Sequence, residues 1–391
     1  MWHESATDVI RARHIRRSSR VKIPRRGLFF RLFFNDFAPR LAERQNVLLW
    51  GNVLTRETPL KPMPTLIRFH KTGGPEVLQY DQVPARTLTS GEIRLKVEAI
   101  GLNRAEVMFR TGQYVETPQL PSMLGYEAAG VIEEVGPEVK NLRVGERAAS
   151  IPGFSMVHYG AYGDSVVLPA AFVAKIPNGL SSIEAAASWM QYCTAYMLIE
   201  FGGMKRGDTV LITAAASSVG HAAIQLAKVA GATAIATTRN AEKVRALLDA
   251  GASAVINTKK DNLVEQARQL TKGKGVDLIF DPVVGPQLEA LGEAAAPSAQ
   301  IFLYGLLDPR PAPFPTIMAL VKDLTIRAYK MSLITGNPQR LERVKAWITE
   351  RLESGELKPV IARVFPFKQM VEAHRYMESN EQMGKIVVSV P

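Results

Sequence analysis

The stretch Gly207–Lys228, GDTVLITAAASSVGHAAIQLAK, limits what this chain can fold into more than any other. Thr209 to Thr213 are β-branched or apolar, the composition of a strand buried on both faces. Ala214 to Ser218 carry little side-chain bulk. Gly220 then opens a run with apolar residues at Ala223, Ile224, Leu226 and Ala227, which is helical spacing. A strand that enters a helix through a small-residue turn aims free backbone N–H groups at whatever lies above it. That makes an anion site suited to a pyrophosphate. The stretch predicts the opening of a dinucleotide-binding unit, and the rest of the chain must supply the substrate.

The flanking sequence supports this placement. From Gly207 onward, strand-like runs alternate with helical ones: DTVLIT, TAIATT, AVINT, VDLIFDP, QIFLYGL and LTIRAYK, separated by helices such as 219–230 and 241–250. Alternation of this kind means a parallel, doubly wound sheet and an α/β class. Before it, LIRFHKTG and VLQYDQV read as two strands about a Gly73–Pro75 turn. Strands at 92–102, 130–135 and 144–148 follow, punctuated by Gly and Pro, as in a small barrel. An apolar helical run, 183–201, separates the two patterns. An amphipathic helix at 339–354 and strands at 360–367 and 385–390 return the chain to its first domain. The expected organisation is a basic extension over 1–62, a β-rich substrate domain over 63–181 and 331–391, and a Rossmann domain over 182–330.

A formal charge of +11 raises the question of nucleic acid or an acidic membrane. The charge is not evenly spread. Residues 1–62 hold 13 of the 48 basic residues and 5 of the 37 acidic ones, whereas 63–391 hold 35 and 32. The body is close to balanced, so neither partner is expected. Three readings fit 1–62: an Arg-rich mitochondrial-type leader, a membrane-surface helix, and an extension without folded structure. The last is preferred, because a clean strand pattern begins directly after Met63. One cysteine excludes an intrachain disulfide and fits a reducing compartment. The expected location is cytoplasmic, or mitochondrial if 1–62 is a leader. No stretch reads as a membrane span, since 209–227 is better explained as strand, turn and helix.

The dinucleotide fingerprint G-x-G-x-x-G appears here as Ala215, Ser217 and Gly220, with one glycine of three. The strand before it and the helix after it carry the assignment. Ser217, Ser218, Val219 and Gly220 are the candidate phosphate contacts. At the end of the next strand, an NAD enzyme places Asp or Glu to hold the ribose 2′-hydroxyl. This chain has Thr237, Thr238, Arg239 and Asn240, with Lys243 one turn later. A guanidinium and an ammonium suit a 2′-phosphate, which predicts NADPH over NADH.

These pieces add up to a resemblance. Over 63–391 the chain resembles the medium-chain dehydrogenase/reductase superfamily, in its zinc-free quinone oxidoreductase-like branch. The matching motifs are HKTGGPEVLQY, AIGLNRAEVMFRTGQY, LGYEAAGVIEEVG, TAY at Thr194–Tyr196, TAAASSVG with AIQLAK, and GKIVV near the end. The resemblance implies a GroES-like β-barrel for substrate, a Rossmann domain for NADPH, an active site between them, and a homodimer. It also places Thr194, Tyr304, Gly305 and Lys385 near the nicotinamide or the phosphates.

In the zinc alcohol dehydrogenases of this superfamily, a Cys, the His of a Gly-His-Glu and a second Cys or Asp hold the metal. The corresponding positions here resemble Asn103, Tyr126 and Met190, none of them a usual zinc ligand. Without a Lewis acid, hydride from NADPH needs an acceptor that is already electron-poor, such as a quinone or a conjugated enone. The resemblance puts Asn103 and Tyr114 in the cleft and Tyr126 in a ligand's place. These three are the candidate catalytic donors, and no metal site is expected. Two alternatives remain beside this reading: a zinc-type alcohol dehydrogenase, and a non-catalytic NADPH-binding module.

Overall fold

The computed structural model describes residues 63–391; the basic segment 1–62, with its leader and extension readings, lies outside the described residues. The first strands are β1 (Thr65–Phe69), β2 (Leu78–Gln82), β3 (Glu92–Gly101), β4 (Glu127–Val135), β5 (Arg147–Ser150), β6 (Ser165–Pro169) and β7 (Val173–Lys175). The nucleotide-type half supplies β8 (Thr209–Ile212), β9 (Thr233–Thr238), β10 (Ala254–Asn257), β11 (Val276–Asp281), β12 (Ala295–Leu303) and β13 (Thr325–Ala328). The last two are β14 (Ile361–Pro366) and β15 (Lys385–Ser389).

Two large sheets result. β8–β13 form a parallel sheet in the order β10-β9-β8-β11-β12-β13, with the strand order reversing beside β8, as a doubly wound fold requires. A second, mostly antiparallel sheet runs β14-β15-β3-β4-β5-β7, with β6 also on β3. The C-terminal strands therefore complete the first sheet, as the returning strand pattern at 360–367 and 385–390 requires. β1 and β2 pair as a separate hairpin.

Each sheet has its own apolar core. Ile67, Phe69, Ile93, Leu95, Phe109 and Tyr162 fill the barrel side. Leu211, Ile235, Ile256, Ile279 and Ile301 fill one face of the parallel sheet. The third cluster joins the two halves. It brings Ala99, Ala129 and Ala149 of the barrel against Trp189, Tyr192, Ala215, Ala222 and Ala223. Small residues on both sides let the backbones approach closely, so the halves pack as one continuous interior. The helix Pro338–Glu353 buries Leu341, Val344, Ile348 and Leu352 in this same cluster.

Two local differences from the sequence reading have clear causes. The expected strand at 144–148 begins only at Arg147, because Gly145 adopts φ +88° in a turn that ends on the Glu146 side. The expected helical run 183–201 is three short helices, Ser182–Ala185, Trp189–Ala195 and Met197–Glu200. Its apolar content reflects burial at the junction of the halves.

Candidate active site

The phosphate turn forms as the sequence predicts. β8 runs in buried, and Ala214 takes φ +46° to start the turn. Ser217 caps the helix Ser218–Ala230 by accepting a hydrogen bond from Gly220 N at 3.1 Å. At its far end, Gly231 closes the helix with φ +71°. Gly220 is needed for contact: a Cβ there would lie 2.4 Å from Ala215 O. Tyr304, at the end of β12, stacks on Phe280 with ring centres 3.9 Å apart. Its hydroxyl is shielded from solvent and lies close to Ser217 without satisfying hydrogen-bond geometry. A buried hydroxyl left without a protein partner, at a capped helix N-terminus, fits a dinucleotide pyrophosphate or ribose. Gly305 follows, packed against Pro282. Ser218 and Val219 lie partly exposed on the same first turn.

At the end of β9, Thr238 is buried and its hydroxyl accepts from Asn240 N at 3.1 Å, holding the turn that presents Arg239. Arg239 is exposed and makes no ion pair among the described residues, leaving its guanidinium available. Lys243 differs from expectation. Its ammonium donates to the carbonyls of Asn380 and Gln382 at 3.0 and 3.1 Å, anchoring the loop before β15 beside the cradle. The free cation at the expected 2′-phosphate position is thus Arg239.

The acceptor side shows two further departures. Lys385 was expected near phosphate or nicotinamide, yet its side chain is 1% exposed and its ammonium is bonded to Glu127 and to Asn103 Oδ1. The neighbouring backbone reaches the cradle instead: Gly384 N donates to Ala216 O at 3.0 Å. Asn103 was expected to donate to substrate. Its Nδ2 points to Gly101 O, Glu106 Oε1 and Glu127 Oε2, and the residue caps the helix Arg104–Arg110. Asn103 therefore positions, and its amide has no donor left to offer. Thr194 donates its hydroxyl to Met190 O at 2.6 Å. Tyr126 and Tyr114 do come together, with the Tyr126 hydroxyl donating to that of Tyr114 at 3.3 Å. Burial raises both phenols above their ordinary value, so both stay protonated as donors at neutral pH.

Beneath them lies a buried polar chain that the sequence reading missed. Glu106 accepts from Asn103 N, Tyr126 N and the Tyr162 hydroxyl. Tyr162 meets His374, which meets Arg110, which pairs with Glu378 at the surface. The Asn-x-x-Glu spacing of a capping box, Asn103 to Glu106, was the available signal. Burial pushes the Glu106 carboxyl up to about 7 and pushes His374 down to about 3, with Arg110 and Arg104 adding to the latter.

The two groups act on stability with opposite sign. For Glu106, the unfolded chain loses its proton near 4.5 while the fold keeps it, so stability falls as pH rises from about 4.5 to 7. For His374, the unfolded chain gains a proton below 6.5 while the fold stays neutral, so stability falls as pH drops from 6.5 toward 3. Between about pH 4.5 and 6.5 they offset one another. In urea unfolding across that window, Glu106→Gln should make stability rise with pH relative to the parent, and His374→Gln should make it fall. Each change in slope should approach 1.4 kcal/mol per pH unit. Parallel curves for parent and variants would refute the assignment.

A zinc ion does not fit this site. Tyr126 and Met190 offer no suitable ligand, and Glu127 is occupied by Lys385, Asn103 Nδ2 and Met190 N. Cys193 is fully buried, and burial pushes its thiol up. Among the described residues, no group of three or more His, Cys, Asp and Glu side chains is arranged to hold a metal.

Residues 89–178 match the model of the alcohol dehydrogenase GroES-like domain, and 218–350 match that of the zinc-binding dehydrogenase. A quinone oxidoreductase of Salmonella typhimurium is 32% identical over 338 residues, 82% of this chain and 98% of its own. The chain belongs to the medium-chain dehydrogenase/reductase superfamily, in its quinone oxidoreductase-like branch. A 2-haloacrylate reductase of a Burkholderia species is 30% identical over the same share of this chain and 97% of its own. The Escherichia coli quinone oxidoreductase solved with NADPH superposes with a TM-score of 0.76 at 30% identity, covering 83% of this chain and 99% of that one. In this superfamily, membership fixes an oxidoreductase built on these two sheets. The match to a model described as zinc-binding covers 218–350, where, among the described residues, no three His, Cys, Asp or Glu side chains are grouped to hold a metal.

Proposed function

We propose that the protein is an NADPH-dependent, zinc-independent reductase of quinones or α,β-unsaturated carbonyl compounds. The observation that carries the reading is a dinucleotide-type turn together with two protonated phenols, Tyr126 in the place of a metal ligand and Tyr114 hydrogen-bonded to it. NADPH, when bound, supplies a hydride. The turn Ala214–Gly220 and the unpartnered Tyr304 hydroxyl hold its phosphates and ribose, and Arg239 holds the 2′-phosphate. Tyr114, its oxygen accepting from Tyr126, keeps its own proton to donate to the acceptor carbonyl as negative charge develops there. Lys385, Glu127 and Asn103 hold one another beside Tyr126, and Glu106, bonded to Asn103, accepts from Tyr126 N.

Monitoring NADPH oxidation across benzoquinones, enones and enals tests the reading. Turnover with electron-poor acceptors and none with simple ketones is expected; tight NADPH binding with no turnover would favour a binding module. Tyr114→Phe should lower kcat about 100-fold while leaving NADPH affinity within a few fold. Arg239→Ser should weaken NADPH about 10-fold to 100-fold and leave NADH almost unchanged, read from the two KM values. An equal loss for both cofactors would remove Arg239 from the 2′-phosphate.

A homodimer belongs to the same proposal. β13 is an edge of its sheet, and beside it Ile317, Leu320 and Val321 are 70%, 79% and 75% exposed. An unpaired edge next to an apolar patch is the kind of surface a second copy covers. Leu320→Arg should shift sedimentation to a monomer. No described helix is long and apolar enough to cross a membrane. A cytoplasmic location without a nucleic-acid partner belongs to the same proposal, and the near-balanced charge of 63–391 weighs against nucleic acid.

A further inference from the structure

We propose that the acceptor cleft selects uncharged acceptors over carboxylate-bearing ones, and that Glu116 sets this selectivity. The inference rests on the reading of Tyr114 and Tyr126 as the acceptor's donors. The superfamily leaves the matter open, because one relative is named for quinones and another for a 2-haloacrylate, which is an anion.

Two carboxyl groups, Glu116 and Glu106, lie close enough to act on both Tyr114 and Tyr126. Burial holds the proton on Glu106 up to about pH 7, so Glu116 is the anion of the two. Glu116 follows Tyr114 by two residues and is partly exposed. Its carboxylate accepts from the Ser155 hydroxyl at 3.0 Å, and Ser155 follows Phe154, whose ring centre is 5.6 Å from that of Tyr126. Glu116 makes no ion pair among the described residues. Three cations of the same domain are committed elsewhere. Arg110 is fully buried on Gly73 O, His374 and Glu378. Lys385 is bound to Glu127 and Asn103, and Arg104 to Met377 O and Asn380 Oδ1.

A carboxylate entering this cleft would lose water, find no cation and face Glu116. A quinone or enone carbonyl needs only a donor, which Tyr114 provides. Fully buried Phe109 backs Tyr114 edge-on, and Phe154 tilts against Tyr126. The two phenols thus stand against apolar packing, which suits a neutral acceptor.

The test uses 2-chloroacrylate and its methyl ester, which differ in charge and in the electron demand of the C=C bond, so the decisive readout is the change of their ratio between parent and variants; 1,4-benzoquinone is the third acceptor. The parent enzyme should reduce the ester and the quinone, with the acid slower. Glu116→Lys and the milder Glu116→Gln should move the acid-to-ester ratio of kcat/KM toward the acid, by about tenfold or more for the lysine. The same charge change at exposed Glu342 should leave the ratio where it was. NADPH binding, followed by fluorescence, reports whether each variant is folded. A ratio that does not move in Glu116→Lys, or moves equally in Glu342→Lys, overturns the role of Glu116. A parent enzyme that reduces the acid as fast as the ester overturns the selectivity. Intact NADPH binding with no oxidation by any of the three acceptors overturns the reductase reading itself, and this inference with it.

Discussion

Lys385→Met should lower the free energy of unfolding by about 3–5 kcal/mol, and adding Glu127→Gln should restore most of it. Both side chains are 1% exposed, and the pair links the starts of β15 and β4 across β3 within one sheet. Removing the ammonium leaves Glu127 with two neutral donors, Met190 N and Asn103 Nδ2, and no countercharge. A carboxylate in that position must either stay charged in an apolar interior or take up a proton, and both cost stability. The double variant removes the uncompensated charge as well as its partner. The interaction energy from the four-variant cycle should therefore be large and of compensating sign. Urea midpoints for the parent, both single variants and the double variant supply the numbers. A single Lys385→Met cost under about 1 kcal/mol, or a double variant no better than the single, would show that the pair is solvated in solution. The same substitution should push Glu106 further up, since Lys385 is one of the charges that lower it.

Gly220→Ala should abolish measurable NADPH binding. The added carbon would lie 2.4 Å from Ala215 O and 2.5 Å from Ala215 Cα. Both are backbone atoms, so no side chain can swing aside. Relief requires the turn itself to move, and the turn carries the N–H groups that would meet the phosphates. A loss beyond about 100-fold in affinity is expected from fluorescence titration. Ser217→Ala is the contrasting variant. It removes the cap to Gly220 N and should cost about 1 kcal/mol of stability, but it keeps the backbone path. Binding by Gly220→Ala within a few fold of the parent would mean the turn has slack that its geometry does not show.

The parallel sheet was legible because its strands and helices follow one another, and each announces itself by period. The returning C-terminal strands were legible for the same reason. Val144–Glu146 was misassigned to a strand because apolar alternation at a glycine turn looks the same in one dimension. At the site, the placement of Ser217 and Gly220 on one turn and the approach of Tyr114 to Tyr126 were readable, since both depend on local spacing or on a motif. Lys385, Lys243 and Asn103 were misplaced because a long or polar side chain near a ligand can be spent on a neighbour distant in sequence. Lys385 meets Asn103 across 282 positions and Glu127 across 258, and no local pattern records such a pairing. Tyr162 and His374 were invisible for the same reason, as each looks ordinary until the barrel closes around it, whereas Glu106 left only its capping-box spacing from Asn103.

One strand serves two distant parts of the molecule. β15 docks on β3, Gly384 bonds the turn at Ala216, and Lys385 neutralises Glu127. Detaching that strand therefore opens the turn and strands a buried carboxylate in the same event, so the barrel's interior and the small-residue turn share a single unit of local unfolding.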